Sequence, residues 1–558
     1  MFPVNANDFS ELLSGYSLWI AVAISVLNGV LLFFASMKFL LVLQLGGYHG
    51  KKYFRWLASP ETPYRSRLML LCLLGFLFFC VLNMCFSYVG EAVASYLGFA
   101  AYILFIALYI NSESSVNAKV PLKKTKRLVR LCVTFAIVLA AFTFGAITLL
   151  NFIAFEIGDR VVGLLRYSVI CLIPLLLPYL LFIAYCINEP VEYLIRTKIV
   201  KDAVAKLKSQ DVLRIGVTGS YGKTSVKEIL KTMLSQKYRV LSTPSSYNTP
   251  MGIALTVKAL DSTHDVFIAE MGARNKGEIK ELADMVCPDY AVLTGINNQH
   301  LESFGSIETI KNTKFELFES LKENGVGFFS SDSDGSRELY DRFKGEKYMA
   351  GAGKADGDLV YATDIKTDNY GMSFMLHIAN ETPVECSTVL LGRHSASNIC
   401  LAAAVAYKMG LTPEEIARGV NRIPSLKHRL ELLPNNKNIV IIDDSYNSNE
   451  DGTKAAMEVL DGFSGRKIVV TPGLVELGKM EHVANMQLGK LLAEHADKVI
   501  VIGKHNAEML IAGLKEGGLA TDNITFAKSL KKGNEILNSM LKEGDVVLFE
   551  NDLPDNYS

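Results

Sequence analysis

The sequence predicts an α-helical transmembrane domain followed by two α/β domains. The first of these is a central domain with a phosphate-binding loop (P-loop) in a mainly parallel sheet, and the second is a Rossmann-like C-terminal domain. Three observations lead to this fold class. Five long apolar stretches occupy the first 190 residues. A glycine-rich segment then separates a strand-like run from a helix-like run, and strand-like and helix-like segments alternate from there onward.

The apolar stretches are transmembrane candidates, because each can cross about 30 Å of hydrocarbon as a helix. They lie at about residues 17–44, 67–88, 91–111, 131–155 and 167–187. Lysine and arginine concentrate in the loop after the first stretch and in the loop after the third, so those loops are expected on the cytoplasmic side. The sequence therefore predicts a multi-pass protein of the cytoplasmic membrane, with its N-terminus outside and everything after about residue 188 in the cytoplasm.

These patterns divide the chain into four predicted segments. They are a transmembrane domain of about five helices (1–187), an amphipathic connecting helix (188–210), a central domain (211–425) and a C-terminal domain (426–558). The connecting helix combines apolar residues at helical spacing with five cationic side chains. This pattern fits a helix on the membrane surface, with lipids as partners, and fits a plain solvated linker helix equally well.

The charge balance gives no reason to expect a nucleic-acid partner, because 57 Lys and Arg residues are matched by 57 Asp and Glu residues. The nine cysteines show no C-x-x-C spacing. We therefore expect free thiols in a reducing compartment, not disulfides or metal ligands.

The segment DVLRIGVTGSYGKTS (211–225) is typical of a phosphate-binding loop between a strand and a helix. Glycines let backbone N–H groups approach phosphate oxygens, and the start of the following helix adds partial positive charge. Lys223 is expected to neutralise the β- and γ-phosphates, and the Thr224 hydroxyl to hold Mg²⁺. Val217 stands where the usual pattern has glycine, so this loop is a variant. The predicted nucleotide contacts of the loop are Gly219, Ser220, Tyr221, Gly222, Lys223, Thr224 and Ser225.

A candidate metal ligand follows in the strand-like run at residues 265–270, which ends in Glu270. Ligands of parallel sheets sit at the carboxyl ends of the strands. A carboxylate there can reach a metal held by Thr224, although a strand-terminal glutamate is also commonly a solvated rim residue.

Several separated segments, taken in order, resemble the Mur ligase family and most closely its MurF type, over residues 211–558. The segments that carry the resemblance are TGSYGKTSVKEI (218–229), Tyr247–Pro250, Ala269–Gly272, Asn298–Gly305, Lys314–Glu316, Gly392–His394 with Asn398, Arg429–Glu431, Asp443–Asn449 and Glu476–Gly478. Each segment is a weak signal by itself, but their joint order is specific.

The resemblance implies an ATP-dependent ligase of cell-wall peptidoglycan synthesis, with Lys223, His300 and Lys314 as catalytic residues. Thr224 and Glu270 would hold one Mg²⁺ ion and His300 a second, beside Lys314. Family members often carry that lysine as a carbamate, and a carbamate on Lys314 would supply the anionic oxygen that a hard metal prefers.

The resemblance also implies nucleotide contacts from two later parts of the chain. Asn398 and Arg429 would contact the nucleotide or its phosphates. The segment DDSYNSN (443–449) would contact adenine and ribose, through Asp444, Asn447 and Asn449.

The implied reaction activates an acceptor carboxylate as an acyl phosphate, which the amine of an amino acid or dipeptide then attacks. Two departures bear on the substrates: membrane spans stand where soluble Mur ligases grip the UDP-sugar, and the C-terminal tail lacks the usual basic-glycine-serine ending. The expected function is therefore a membrane-bound ligase whose carboxylate acceptor is a lipid-linked or polymer-linked cell-envelope precursor. A conventional MurF reaction on UDP-MurNAc-tripeptide and a non-catalytic membrane scaffold remain alternatives.

Overall fold

The chain divides into two compact units, Met1–Arg196 and Thr197–Ser558. The computed structural model describes residues 15–59, 67–86, 91–114, 122–157, 168–245, 247–297, 304–353, 356–368, 370–434, 438–446, 450–475, 477 and 480–551.

The described secondary structure of the first unit is entirely helical. Its helices are α1 (Gly15–Ala35), α2 (Met37–Leu45), α3 (Gly50–Ala58), α4 (Met69–Phe86), α5 (Glu91–Ser114), α6 (Lys126–Ile157), a 3₁₀ helix (Ser168–Leu176) and the first part of α7 (Leu177–Ser209). Apolar side chains such as Phe39, Phe135 and Leu181 are buried between these helices. At the start of α6, Arg130 pairs with the buried Glu192 of α7 at 2.5 and 2.9 Å.

Helices form the described parts of all five predicted apolar stretches, but fewer than five of these helices have the length and hydropathy that a membrane span requires. In the described residues, Lys126–Ala146 and Cys171–Ser209 are long and apolar enough to cross a membrane. A third span results if α1 and α2, which are bent by 48° from each other, count as one. The apolar parts of α4 and α5 are shorter, and a bilayer requires about 20 residues. The structure therefore supports two or three spans of the predicted five.

The second unit contains two sheets, which confirms the predicted fold class. The first nine strands are β1 (Leu213–Thr218), β2 (Val240–Ser242), β3 (Val266–Glu270), β4 (Tyr290–Leu293), β5 (Val326–Ser330), β6 (Glu346–Gly351), β7 (Asp358–Asp368), β8 (Gly371–Ile378) and β9 (Val384–Thr388). They form one sheet in the order β2-β3-β1-β4-β5-β6-β7-β8-β9. Pairing is parallel from β2 to β7 and antiparallel from β7 to β9, a meander that the sequence patterns did not predict.

Helices cover this nine-stranded sheet. They are α8 (Lys223–Leu234), α9 (Pro250–Val257), α10 (Glu278–Val286), α11 (Ile307–Glu319), α12 (Asp334–Arg342), α13 (Arg393–Lys408) and α14 (Pro413–Asn421). Their apolar sides are buried in two clusters. The Ala-rich α13 is buried almost throughout, as its near-continuous small apolar sequence requires.

The second sheet is formed by the C-terminal residues. Its strands are β10 (Glu431–Leu433), β11 (Val440–Asp444), β12 (Lys467–Thr471), β13 (Lys498–Ile502), β14 (Ile524–Ala527) and β15 (Val546–Glu550), in the order β10-β11-β15-β12-β13-β14. Only β10 pairs antiparallel. Its helices are α15 (Glu450–Asp461), α16 (Glu481–His495), α17 (Ala507–Glu516) and α18 (Leu530–Met540).

The end of α7 packs against the nine-stranded sheet and so leads directly into the phosphate loop. Ala203 and Leu207 are buried in the same apolar cluster as Phe267. The Arg214 guanidinium donates a hydrogen bond of 2.6 Å to the Leu207 carbonyl, which satisfies one of the free carbonyls at the helix end. In this last part of the predicted connecting helix, the apolar side chains of Ala203 and Leu207 therefore face protein, an arrangement that neither sequence interpretation considered.

Candidate active site

The phosphate loop joins β1 to α8 and depends on two glycines with positive φ. Gly219 has φ +149° and Gly222 has φ +73°. A Cβ atom at Gly219 would lie 2.0 Å from Thr294 Oγ1, and one at Gly222 would lie 2.9 Å from Asn398 Oδ1. Both the backbone conformation and the close approach of neighbours therefore require glycine. The loop is a tight cradle although Val217 replaces the usual first glycine.

The loop is fastened to the segment that follows β4. Ser220 N donates a hydrogen bond of 2.8 Å to the Gly295 carbonyl. The Tyr221 ring fills the space above Gly295, where a Cβ would lie 2.4 Å from the ring. Burial raises the pKa of the Tyr221 phenol, which therefore stays neutral. These contacts fix the direction of the loop backbone at the start of α8.

Lys223 is the first residue of α8, and its ammonium group bends back over the loop. Its Nζ donates to the carbonyls of Gly219 at 2.8 Å and Ser220 at 3.0 Å. Burial, opposed by the charge of Glu270 and assisted by that of Arg429, lowers the pKa of Lys223 to about 8. An ammonium group held in this position can donate hydrogen bonds to phosphate oxygens with little movement of the side chain.

Glu270 ends β3 on the same edge of the sheet as the loop, because β3 pairs in parallel with β1. The residue as a whole is 1% exposed, which excludes the interpretation as a solvated rim residue. Thr243 Oγ1 accepts a hydrogen bond of 3.0 Å from Glu270 N, and Asn248 Nδ2 lies 3.4 Å from Glu270 Oε1. Lys227 Nζ lies 3.3 Å from the other oxygen, Oε2.

Lys314 lies on α11 and is 3% exposed. Within the described residues its ammonium group makes no hydrogen bond or ion pair, and it lies 5.8 Å from the centroid of the Phe304 ring. Burial lowers the pKa of Lys314 to about 7, and the charge of Lys223 adds to this; Glu278 and Glu316 act in the opposite direction. A substantial fraction of Lys314 is therefore the neutral amine near physiological pH.

The neighbouring carboxylates are occupied by backbone groups. Glu316 accepts hydrogen bonds from Gly277 N at 2.9 Å and Lys280 N at 3.0 Å, so it caps the start of α10. Glu278 likewise accepts from Arg274 N at 2.7 Å. These contacts explain why neither carboxylate pairs directly with Lys314.

The predicted contacts from later parts of the chain lie close to the loop and at the start of the C-terminal sheet. Asn398 is buried beside Gly222. The Arg429 guanidinium lies 4.5 Å above the Tyr446 ring, a cation–π contact. Asp444 Oδ1 accepts a hydrogen bond of 3.2 Å from Leu430 N.

Burial also changes the ionisation of two groups in this region. It raises the pKa of Asp444 to about 6, although the hydrogen bond from Leu430 N and the charge of Arg429 oppose the shift. It lowers the pKa of His394 to about 4, and Arg429 adds to that effect.

Three predicted site residues, His300, Asn447 and Asn449, lie outside the described residues. The second metal position and the adenine contact therefore stay predictions. The structure brings Gly222, Lys223 and Asn398 together, and it places Glu270 on the same sheet edge.

Lys227 is a site residue that the sequence patterns did not identify. It is completely buried and contacts Glu270. A signal was available, because Lys227 follows Lys223 by one helical turn and so lies on the same face of α8.

The oxygen donors present suit Mg²⁺. The Thr224 hydroxyl and the Glu270 carboxylate are hard ligands of the type that this ion prefers. The glycine cradle, which a side chain at either position would fill, suits a phosphate group. The residues therefore fit a magnesium–nucleotide complex.

Comparison with known proteins matches most of the second unit to one family. Residues 217–406 match the Mur ligase middle domain, and residues 428–550 match the Mur ligase glutamate ligase domain. The chain is 30% identical over 340 residues to the UDP-N-acetylmuramoyl-tripeptide–D-alanyl-D-alanine ligase of Bacillus subtilis, covering 60% of this chain and 72% of the relative. It is 31% identical to the ligase of the same name from Buchnera aphidicola, covering 59% and 70%.

Solved structures of MurF ligases share the fold. The ADP complex of MurF from Thermotoga maritima has a TM-score of 0.58 and 26% identity, covering 64% of this chain and 80% of that chain. MurF from Acinetobacter baumannii has a TM-score of 0.58 and 25% identity, covering 64% and 77%. With the phosphate loop and the family segments in the same order, these matches establish that the chain belongs to the Mur ligase family of ATP-dependent acid–amino-acid ligases.

Proposed function

We propose that the protein is a MurF-type ligase, which joins the amine of D-alanyl-D-alanine to the terminal carboxylate of UDP-MurNAc-tripeptide at the cost of ATP. The observation that carries this proposal is the glycine cradle with Lys223 at its end and Glu270 on the neighbouring strand. The two curated relatives named above, both tripeptide–D-alanyl-D-alanine ligases, support these substrates. They favour the conventional reaction over the membrane-linked acceptor that the sequence led us to expect.

The reaction has two chemical steps. An oxygen of the acceptor carboxylate attacks the γ-phosphorus of ATP, ADP leaves, and an acyl phosphate forms. The amine nitrogen then attacks the acyl carbon, phosphate leaves with the former carboxylate oxygen, and the amine loses a proton. Phosphoryl transfer depends mainly on positioning and on neutralising negative charge. Lys223 and the backbone N–H groups of the loop supply that neutralisation.

Thr224 and Glu270 would hold one Mg²⁺ ion. Bound there, the ion would offset phosphate charge and fix the phosphate orientation. The buried Glu270 side chain is already held from several sides, so little ordering would accompany binding.

Lys314 is proposed to carry a carbamate and, with His300, to hold a second ion. Only the neutral amine adds CO₂, a reaction in which the nitrogen bonds to carbon and releases a proton. A pKa of about 7 keeps a large neutral fraction near physiological pH. The lack of any hydrogen bond to its Nζ within the described residues leaves the amine free for this modification.

The nucleotide base would be held from the C-terminal side of the site. Arg429 and Tyr446 form a flat, cationic surface at the entrance to the C-terminal domain. Asp444, Asn447 and Asn449 are the proposed polar contacts of adenine and ribose, and Asn398, beside Gly222, is a proposed contact of the nucleotide or its phosphates.

The apolar helices favour a second candidate, in which the same chemistry acts on a membrane-associated carboxylate. At least two helices are apolar enough to span a bilayer. The lysines and arginines in the loops after the first and third predicted apolar stretches would place the ligase domains in the cytoplasm, where ATP is available. Retention of Lys223, Thr224 and Glu270 in one site argues against a non-catalytic scaffold.

The experiment that tests the proposal supplies detergent-solubilised full-length protein with ATP, Mg²⁺ and D-alanyl-D-alanine. UDP-MurNAc-tripeptide and a lipid-linked acceptor bearing the same peptide are offered in equal amounts, and products are identified by mass spectrometry. We expect ligation of the UDP-linked acceptor, with one ADP per amide bond. Exclusive ligation of the lipid-linked acceptor would favour the second candidate, and ADP release without either product would contradict both. The Lys223→Ala variant is the matched control.

A further inference from the structure

Lys227 is a completely buried cation, and the two chemical steps proposed above assign it no role. It lies on α8, one turn after Lys223, and its side chain has no exposed surface. Burying an ammonium group is costly unless partners compensate for the lost water. Its partners therefore indicate what the residue is for.

Three oxygen atoms compensate the Lys227 charge. Its Nζ donates to the Ser245 carbonyl at 2.5 Å and lies 3.3 Å from Glu270 Oε2 and 3.3 Å from Glu228 Oε1. Glu228 is 29% exposed and therefore contributes less, because water screens it. Glu270 is 2% exposed as a side chain, so its pairing with Lys227 is a buried ion pair.

Lys223 and Lys227, on the same face of α8, contact different groups. Lys223 donates to the carbonyls of its own loop, and its hydrogen bonds leave Glu270 untouched. Lys227 instead holds one carboxylate oxygen of Glu270, while Asn248 approaches the other oxygen at 3.4 Å. The carboxylate is thus fixed in direction by α8 on one side and by the segment after β2 on the other.

We propose that Lys227 is a positioning residue that holds the Glu270 carboxylate in the direction that receives Mg²⁺. The inference rests on the proposed nucleotide site. The Lys227 ammonium group pairs with Glu270 Oε2, whereas Oε1 has only the long, weak contact with the Asn248 amide. Oε1 is therefore the carboxylate oxygen that can bind an ion. Without Lys227 the buried carboxylate would lose the cation that holds its direction.

The test measures metal dependence without measuring turnover. Full-length protein in detergent is heated with ADP over a range of Mg²⁺ concentrations, and the midpoint of the ADP-dependent stabilisation is recorded. Lys227→Met keeps the length and removes the charge; we expect its Mg²⁺ midpoint to rise about tenfold, the scale on which partners of metal ligands act. Lys227→Arg should restore the midpoint to near the parent value. The matched control is Lys231→Met, an exposed position one turn further along α8.

A Mg²⁺ midpoint for Lys227→Met equal to that of Lys231→Met would overturn the proposal. A lower midpoint would also overturn it, because it would mean that the Lys227 ammonium group only competes with the metal. If Lys227→Met does not fold, Glu270→Gln and the double variant Glu270→Gln/Lys227→Met decide, because the double variant leaves no unpaired buried charge. Their midpoints should be equal, and a difference would overturn the inference. Failure of the proposed function is distinguishable, since it would appear as Mg²⁺-dependent ADP binding by the parent protein without ligation.

Discussion

The phosphate loop and the turn that enters the C-terminal domain both use backbone with positive φ, but they maintain it in different ways. In the loop the residues are glycines, Gly219 and Gly222. In the turn they are His428, with φ +61°, and Leu430, with φ +46°. Glycine adopts this backbone conformation without strain, whereas other residues need neighbours that hold them in it.

Carboxylates provide that support in the turn. Glu431 Oε2 accepts from His428 N at 3.0 Å, Asp443 Oδ2 lies 2.7 Å from His428 Nδ1, and Asp444 Oδ1 accepts from Leu430 N at 3.2 Å. The glycines of the loop therefore allow its backbone conformation by themselves. The conformation of the turn depends on the carboxylates of the strands beside it. The loop is proposed to contact the reacting phosphates, whereas the turn carries Arg429 and leads to Tyr446. Substitutions in the two regions should therefore differ in the size of their effects on catalysis.

The largest effect is expected in the loop. Lys223→Ala removes the charge from the transferring phosphate and should lower kcat on the order of 10²-fold or more. The measurement is amide formation with saturating ATP, with Lys231→Ala as the exposed control on the same helix. Turnover of Lys223→Ala at the parent rate would contradict the assignment of the loop.

The next effect concerns the two proposed ions. Glu270→Ala and His300→Ala each remove one ligand, to different ions, and should each lower turnover by about 10- to 100-fold while the folded structure is retained. The check is the Mg²⁺ concentration dependence of ligation, together with the thermal transition of each variant. An unchanged Mg²⁺ dependence in both would exclude two-metal chemistry.

Lys314 gives an effect that can be reversed. Lys314→Ala should lower activity about tenfold or more, and a short carboxylic acid should restore part of it by replacing the carbamate oxygens. Because the Lys314 pKa is about 7 and only the neutral amine adds CO₂, parent activity should fall as the pH drops below about 7. The acid-rescued variant should lack this fall near pH 7. A parallel decline in both proteins would leave the carbamate unsupported.

The turn should show the smallest effect. Tyr446→Ala removes the ring beneath Arg429, a contact at a half-exposed position worth about 0.5–1 kcal/mol. We expect the KM for ATP to rise about two- to fivefold with kcat nearly unchanged. Tyr446→Phe, which keeps the ring, is the control. A loss of kcat comparable to that of Lys223→Ala would show that the turn takes part in the chemistry itself.

The comparison also explains what the sequence could predict. Local patterns predicted the phosphate loop, the parallel strands and the position of Glu270 at a strand end. These patterns are the spacing of glycines, the apolar runs and the alternation of strand-like and helix-like segments, and the structure confirms the three predictions. The pairing of Lys227 with Glu270 joins residues 43 positions apart, and the antiparallel meander depends on which edge of the sheet remains open. Such contacts are set by tertiary packing, which local patterns do not contain.

The membrane region shows the same limit. Hydropathy marked five stretches, but where the helices begin, bend and end depends on packing between them. The bend of 48° between α1 and α2 has no proline or glycine at the break, where Ser36 lies. The Ser36 hydroxyl instead donates a hydrogen bond of 2.6 Å to the Phe33 carbonyl. This local bond competes with the backbone hydrogen bonds of the helix.

The most direct test of the account follows the acceptor oxygen. UDP-MurNAc-tripeptide is labelled with the heavy oxygen isotope in its terminal carboxylate and incubated with the full-length protein, ATP, Mg²⁺ and D-alanyl-D-alanine, and the released phosphate is analysed by mass spectrometry. Activation through an acyl phosphate predicts one labelled oxygen in phosphate for each amide bond formed. Amide formation with unlabelled phosphate would contradict the mechanism, and labelled phosphate without amide would contradict the assignment of the amine substrate.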